Sequence, residues 1–152
     1  MIEGIETKKL KVVRDYRGHL MEMLRADDKL FEKFGQVYLS VCLPGVVKGW
    51  HYHKKQTDNF VIVNGNAKVV LYDMRKDSST KGRIQEFFVG EKNPMLIKIP
   101  PYIAHGMTPA DNEPIFLINC PTEVYNYEKP DEHRIPFNSK EIPYDWGVSK
   151  GG

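Results

Sequence analysis

The sequence predicts an all-β fold, a β-sandwich or barrel of jelly-roll type, with one short helix in its N-terminal third and a polar C-terminal tail. Three observations predict it. Stretches that alternate apolar and polar residues, or run apolar for a few residues, recur along the chain. Gly, Pro, Asn and Asp breakers separate them at a spacing of roughly 8–12 residues. Almost nothing shows the longer period of a helix. In order, the expected strands are "KKLKVV", "GHLMEML", "GQVYLSVCL", "VKGWHYH", "NFVIVNG", "AKVVLYDMR", "GRIQEFFV", "PMLIKIP" and "IFLINC". The breakers include "RDYRG", "KDSSTKG", "GEKNP" and "PADNEP". Asn64-Gly65 is a tight-turn signal between two apolar runs. The helix is expected in "DDKLFEKFG", capped by an Asp, faced by Leu30, Phe31 and Phe34, and ended by Gly35. From "YNYEKPDEHRIPFN" onward the chain is polar and proline-rich, and is expected to wrap the barrel rather than add to its core.

The 152 residues suffice for one domain spanning 1–152 and are too few for two ordinary ones. A net charge of +2 is too small to argue for nucleic acid, although a local basic pocket for phosphate remains compatible with it. No apolar run approaches the roughly 20 residues of a membrane span. The start, "MIEGIETKKL", has no apolar signal core, which points to a cytoplasmic protein. Cys42 and Cys120 lie in apolar surroundings without CxxC spacing and are expected as reduced thiols.

The stretch "GVVKGWHYHKKQTDNFVIVNG" carries the chemistry. On a strand, residues two apart share a face, so His51 and His53 project together. Asp58 opens the next apolar run, and His105 follows "KIPPYIA" where the chain could turn back into a barrel mouth. Imidazoles and a carboxylate converging in an apolar cup suit a divalent transition metal. The spacing resembles the metal motifs of the cupin superfamily, with Asp58 where cupins usually carry Glu and Tyr102 where they carry Gly. The plain alternative is a polar pocket that binds no ion.

A second resemblance covers nearly the whole chain. "RDYRGHLMEML", "GQVYLS", "GVVKGWHYH", "YDMRKDSSTKG", "IPPYIAHGM", "YNYEKPDEHRIPFN" and "IPYDW" occur in the order and near spacing of the dTDP-4-dehydrorhamnose 3,5-epimerase (RmlC-like) family, itself a cupin jelly roll. The resemblance implies a nucleotide-diphosphate sugar as partner, no required cofactor, and a homodimer formed by strand exchange and sheet packing. It puts Arg17 on the diphosphate, where a planar guanidinium matches phosphate oxygens. Leu20 and Glu22 fall where the family contacts the base, and Lys48 where it has an active-site arginine. His51 matches the base that takes a proton next to a ketone, and a neutral imidazole suits that task near pH 7. Asp73, beside Arg75 in "YDMR", falls near the family's active site, although a structural pair at a strand end is the plainer role.

The match frays at the reaction. The family's tyrosine acid falls near Ile118 or Asn119, its enolate-supporting lysine at Asp58, and its usual glutamine at His53. The aspartate that orients the base comes from a C-terminal segment longer than this one. Three readings follow. The first is an epimerase or keto-isomerase of a nucleotide-linked 4-keto-6-deoxy sugar, with Tyr125, Tyr127 or His105 supplying the second proton; "HYHKK" also resembles the "HAHK" of sugar 3,4-ketoisomerases. The second is a metal cupin using His51, His53, Asp58 and His105. The third is a silent sugar-nucleotide binder. Tyr125 and Tyr127 could equally pack the tail onto the barrel.

Overall fold

A computed structural model of the chain describes residues 1–152. Eleven strands build the body: β1 (Glu6–Lys9), β2 (Val12–Asp15), β3 (Gly18–Met21), β4 (Tyr38–Cys42), β5 (Val46–Tyr52), β6 (Asp58–Asn64), β7 (Asn66–Asp73), β8 (Ile84–Gly90), β9 (Met95–Ile99), β10 (Ile103–Pro109) and β11 (Ile115–Asn119). Two short pairings, β12 (His133–Arg134) and β13 (Lys150–Gly151), come from the tail. One antiparallel sheet has the order β1-β9-β6-β11-β4 and the other β12-β5-β10-β7-β8, while β13 runs parallel to β5. β2 and β3 form a separate hairpin. No helix is long and apolar enough to cross a membrane.

Apolar residues fill three layers. Phe60 and Ile62 of β6, Val69 and Leu71 of β7, and Ile115 and Leu117 of β11 meet between the sheets. The residues of opposite parity are buried too. Val61 packs with Leu10, Leu30 and Leu96 outside the five-stranded sheet. Val70 packs with Trp50, Ile135, Ile142 and Trp146 outside the six-stranded one. Burial on both faces is why "FVIV" and "VVL" read as apolar runs instead of alternating. The tail therefore adds a buried cluster of its own, beyond the wrapping expected of it.

One local expectation is corrected, and one is borne out in a different setting. "DDKLFEKFG" is not a helix but a pair of turns followed by irregular chain. The Asp28 carboxylate accepts the Arg25 N–H (2.8 Å) and the Lys8 ammonium (2.6 Å). Leu30 turns into the outer cluster while Phe34 is exposed, so no single helical face exists to be buried. Asn64-Gly65 is a corner, since β6 and β7 belong to different sheets. Gly65 has φ +73°, and a Cβ there would lie 2.6 Å from the Pro114 carbonyl oxygen.

Candidate active site

β5 carries the histidines and does so with an irregular register. His51 pairs with His105 of β10, yet Lys48 pairs with Met107, so β5 holds one extra residue between them. That bulge lets Lys48, His51 and His53 all line one cavity, where strict alternation would put Lys48 on the opposite face. Gly49 sits in the bulge, because a Cβ there would come within 2.7 Å of the Gly106 Cα. The cavity measures about 1150 Å³.

Behind the lining residues His53 and His105 lies Asp58, the first residue of β6 and 1% exposed. Its Oδ2 is 3.2 Å from His53 Nε2 and 3.4 Å from His105 Nε2. Its Oδ1 accepts from Gln56 Nε2 and Asn119 Nδ2, both at 2.8 Å. The other ring nitrogens meet backbone carbonyls: His105 Nδ1 that of Ile103 at 3.0 Å, and His53 Nδ1 that of Asp131. Asp131 also accepts the backbone N–H groups of Lys54, Lys55 and Gln56, which ties the tail to the loop after β5.

The charges differ from ring to ring. Burial opposes ionisation of Asp58, but the hydrogen bond and positive charge of the His53 imidazole carry its carboxyl below the usual range. Burial likewise opposes charging His53, and the Asp58 carboxylate overcomes this and raises it. His105 has no such hydrogen bond, and burial lowers it to about 4. His51 is lowered too, chiefly by burial, against the pull of Glu132. The cup thus holds a carboxylate beside an imidazole that favours its proton, and two imidazoles that favour being neutral.

His51 stands apart from this group, its ring centroid 6.4 Å from that of His105, and its Nε2 is 3.8 Å from Glu132 Oε1. His53, Asp58 and His105 are the three whose ligand atoms lie within 4.8 Å of one another and could hold an ion; His51, expected in that set, is not among them. Tyr125 and Tyr127 line the cavity mouth as an edge-to-face pair 5.0 Å apart. Lys48 donates to Ser40 Oγ at 3.0 Å. Three candidates lie outside the cavity. Arg17 sits at the exposed tip of the β2–β3 hairpin, paired with Asp15 at 2.6 Å. Glu22 pairs with Arg25 at 2.9 Å. Asp73 is fully buried in a knot with Arg75, Ser78 and Thr80, at 2.6–2.9 Å.

Sequence reasoning missed Tyr38, Gln56, Asn119 and Glu132. Tyr38 shares parity with Ser40 and the core residue Cys42, a signal that was available. Glu132 had none, because only the pairing of β12 with β5 brings it to His51.

This is the architecture of a cupin whose cavity is lined by ionisable side chains. Residues 13–133 match the family described as "Polysaccharide biosynthesis C-terminal domain". The chain belongs to that family and, within the cupins, to the group of dTDP-4-dehydrorhamnose 3,5-epimerase-like proteins. It is 44% identical to the spore coat polysaccharide biosynthesis protein SpsL of Bacillus subtilis, over 97% of this chain and 98% of that one. It is 43% identical to the probable low-salt glycan biosynthesis epimerase Agl13 of Haloferax volcanii, over 99% and 98%. Among solved structures, a dTDP sugar isomerase from Desulfovibrio desulfuricans superposes with a TM-score of 0.91 at 31% identity, over 98% of this chain and 94% of that one.

Proposed function

We propose that the protein is a sugar-nucleotide isomerase, an epimerase or keto-isomerase of a dTDP-linked 4-keto-6-deoxyhexose, serving polysaccharide or glycan synthesis. One observation carries this reading: a neutral, half-buried His51 faces a nucleotide-sugar-sized cavity with a carboxylate behind it. The imidazole takes the proton on the carbon next to the ketone. Glu132 then stabilises the imidazolium that forms, and Arg134, donating to Glu132 at 2.9 Å, keeps that carboxylate in place. Negative charge builds on the ketone oxygen. Lys48, one pleat repeat from His51 across the bulge on the same wall and without a carboxylate partner, supplies the opposing charge. Lys54 and Lys55, on the loop after β5, suit the diphosphate.

Arg17 and Glu22 serve the site through a second copy. The hairpin exposes Val13 (54%) and Leu20 (61%), and the free edge of β4 exposes Leu39 (54%). A homodimer that lays the hairpin of one protomer along the β4 edge of its partner covers both and carries Arg17 toward the partner's cavity. The protein acts in the cytoplasm.

The test is turnover of a dTDP-linked 4-keto-6-deoxyhexose followed by NMR. His51→Asn is expected to slow conversion by about 10²–10⁴-fold with dTDP affinity unchanged. Full activity in that variant removes His51 from the chemistry.

A second reading is favoured by the close approach of His53, Asp58 and His105. The fit to an ion is partial: the Gln56 amide nitrogen stands 3.3 Å from His53 Nε2 and 2.8 Å from Asp58 Oδ1, where a metal would compete with it. Elemental analysis decides. One equivalent of a divalent transition metal, lost in His53→Ala, supports the metal cupin.

A further inference from the structure

Inverting a stereocentre requires a proton removed from one face and another delivered to the opposite face, so the base alone is half of the machinery. His51 projects from β5 in the six-stranded sheet. On the facing sheet, Tyr38 of β4 lines the same cavity. Its inward direction follows from parity: Ser40 meets the Lys48 ammonium and Cys42 lies in the core between the sheets. Tyr38 pairs across the ladder with Asn119 of β11. The Asn119 amide donates one N–H to the phenol oxygen at 2.9 Å and the other to Asp58 Oδ1 at 2.8 Å. The phenol oxygen therefore accepts a hydrogen bond, while its own proton has no acceptor within the protein and is free for the cavity.

We propose that Tyr38 is the catalytic acid that delivers a proton to the substrate face opposite His51. The inference rests on the reaction proposed above. In the first step the C–H bond next to the ketone breaks, the proton goes to the His51 imidazole, and the electron pair enters the enolate. In the second, the Tyr38 O–H bond breaks and its proton joins the same carbon from the other side, as the enolate electrons return to form the new C–H bond. This leaves a Tyr38 phenolate and a His51 imidazolium, which exchange protons with solvent to restore both. Asn119 stabilises the phenolate when it forms. Before that, burial and the Asp58 charge raise the phenol to about 12, which keeps its proton in place at neutral pH. The tyrosine that the family resemblance seeks near Ile118 or Asn119 is thus found one strand away, on the residue paired with Asn119.

The experiment incubates wild type, Tyr38→Phe and His51→Asn with a dTDP-linked 4-keto-6-deoxyhexose in D2O and reads configuration and deuterium by NMR. Tyr38→Phe is expected to lose about 10²–10⁴-fold in formation of the inverted sugar. It should still admit deuterium with configuration retained, and still bind dTDP as wild type does. His51→Asn should lose both exchange and inversion. Inversion at the wild-type rate in Tyr38→Phe overturns the assignment, as does loss of exchange together with inversion, or loss of dTDP affinity. Wild-type conversion that leaves every stereocentre unchanged also overturns it while keeping His51 as base. A wild type that neither exchanges nor converts removes the reaction itself, and Tyr38 with it.

Discussion

A carboxylate without solvent contact must find its counter-charge inside the protein, and Asp58 finds it in His53, at 3.2 Å. Burial leaves His105 and His51 favouring the neutral form, the state the proposed base His51 requires. Because His51 is lowered, the acid limb of kcat/KM should fall below the ordinary histidine value of about 6.5. Glu132 raises His51, so Glu132→Gln should move that limb to still lower pH and reduce turnover; a limb that stays in place separates Glu132 from the base. Asp73 belongs to stability instead. Its carboxyl is buried, and Arg75, Ser78 and Thr80 hold it far below the usual carboxylate range. A folded value below the unfolded one means the stabilisation is present above about pH 4 and lost as pH falls further. Asp73→Asn should cost about 2–3 kcal/mol in urea unfolding at pH 7 and lose less in acid than wild type does. An unchanged midpoint would show the knot to be dispensable.

The strands differ in how openly the sequence displayed them. β6 and β7 were plain, since runs buried on both faces leave an apolar signature. β10 was not. It contains Gly106 and Pro109 and follows the Pro100-Pro101 breaker, so its pattern reads as loop although it pairs with both β5 and β7. His105 was accordingly expected at a chain reversal, and it lies within a central strand. The parity of His51 and His53 was legible because period two is local. Joining Lys48 to that face needed the bulge, which depends on a long-range register and leaves no local trace. The helix was misread because Leu30, Phe31 and Phe34 imitate a helical face, while a salt bridge from Lys8, 20 positions away, decides the turn at Asp28. Gly49→Ala tests the bulge. The added methyl at 2.7 Å from Gly106 forces β5 and β10 apart, at a cost of about 1–3 kcal/mol, and should displace His51 enough to suppress turnover. Wild-type kinetics in a folded Gly49→Ala protein would deny the bulge its positioning role.

Across the molecule, the two sheets and their outer coverings hold a cup that opens where β4, β5 and the tail converge. The apolar hairpin and the bare β4 edge leave one surface unfinished in a single chain. Sedimentation should show a dimer, and Leu39→Arg on the open edge should dissociate it. Arg17→Ala should weaken dTDP binding by about 1.5–3 kcal/mol without changing assembly. A monomer that binds dTDP with full affinity contradicts the exchange of hairpins. The family resemblance was legible in motif order over most of the chain, and strand parity displayed Tyr38, while Glu132, the proposed partner of His51, was hidden because it reaches the cup only through tertiary pairing. The most direct trial of the chemistry is deuterium wash-in by the wild-type protein, given a dTDP-linked 4-keto-6-deoxyhexose in D2O. Deuterium should enter a carbon adjoining the ketone in the wild type and be absent from His51→Asn. A sugar that stays fully protonated while bound would mean that this cup recognises the nucleotide and does no chemistry on it.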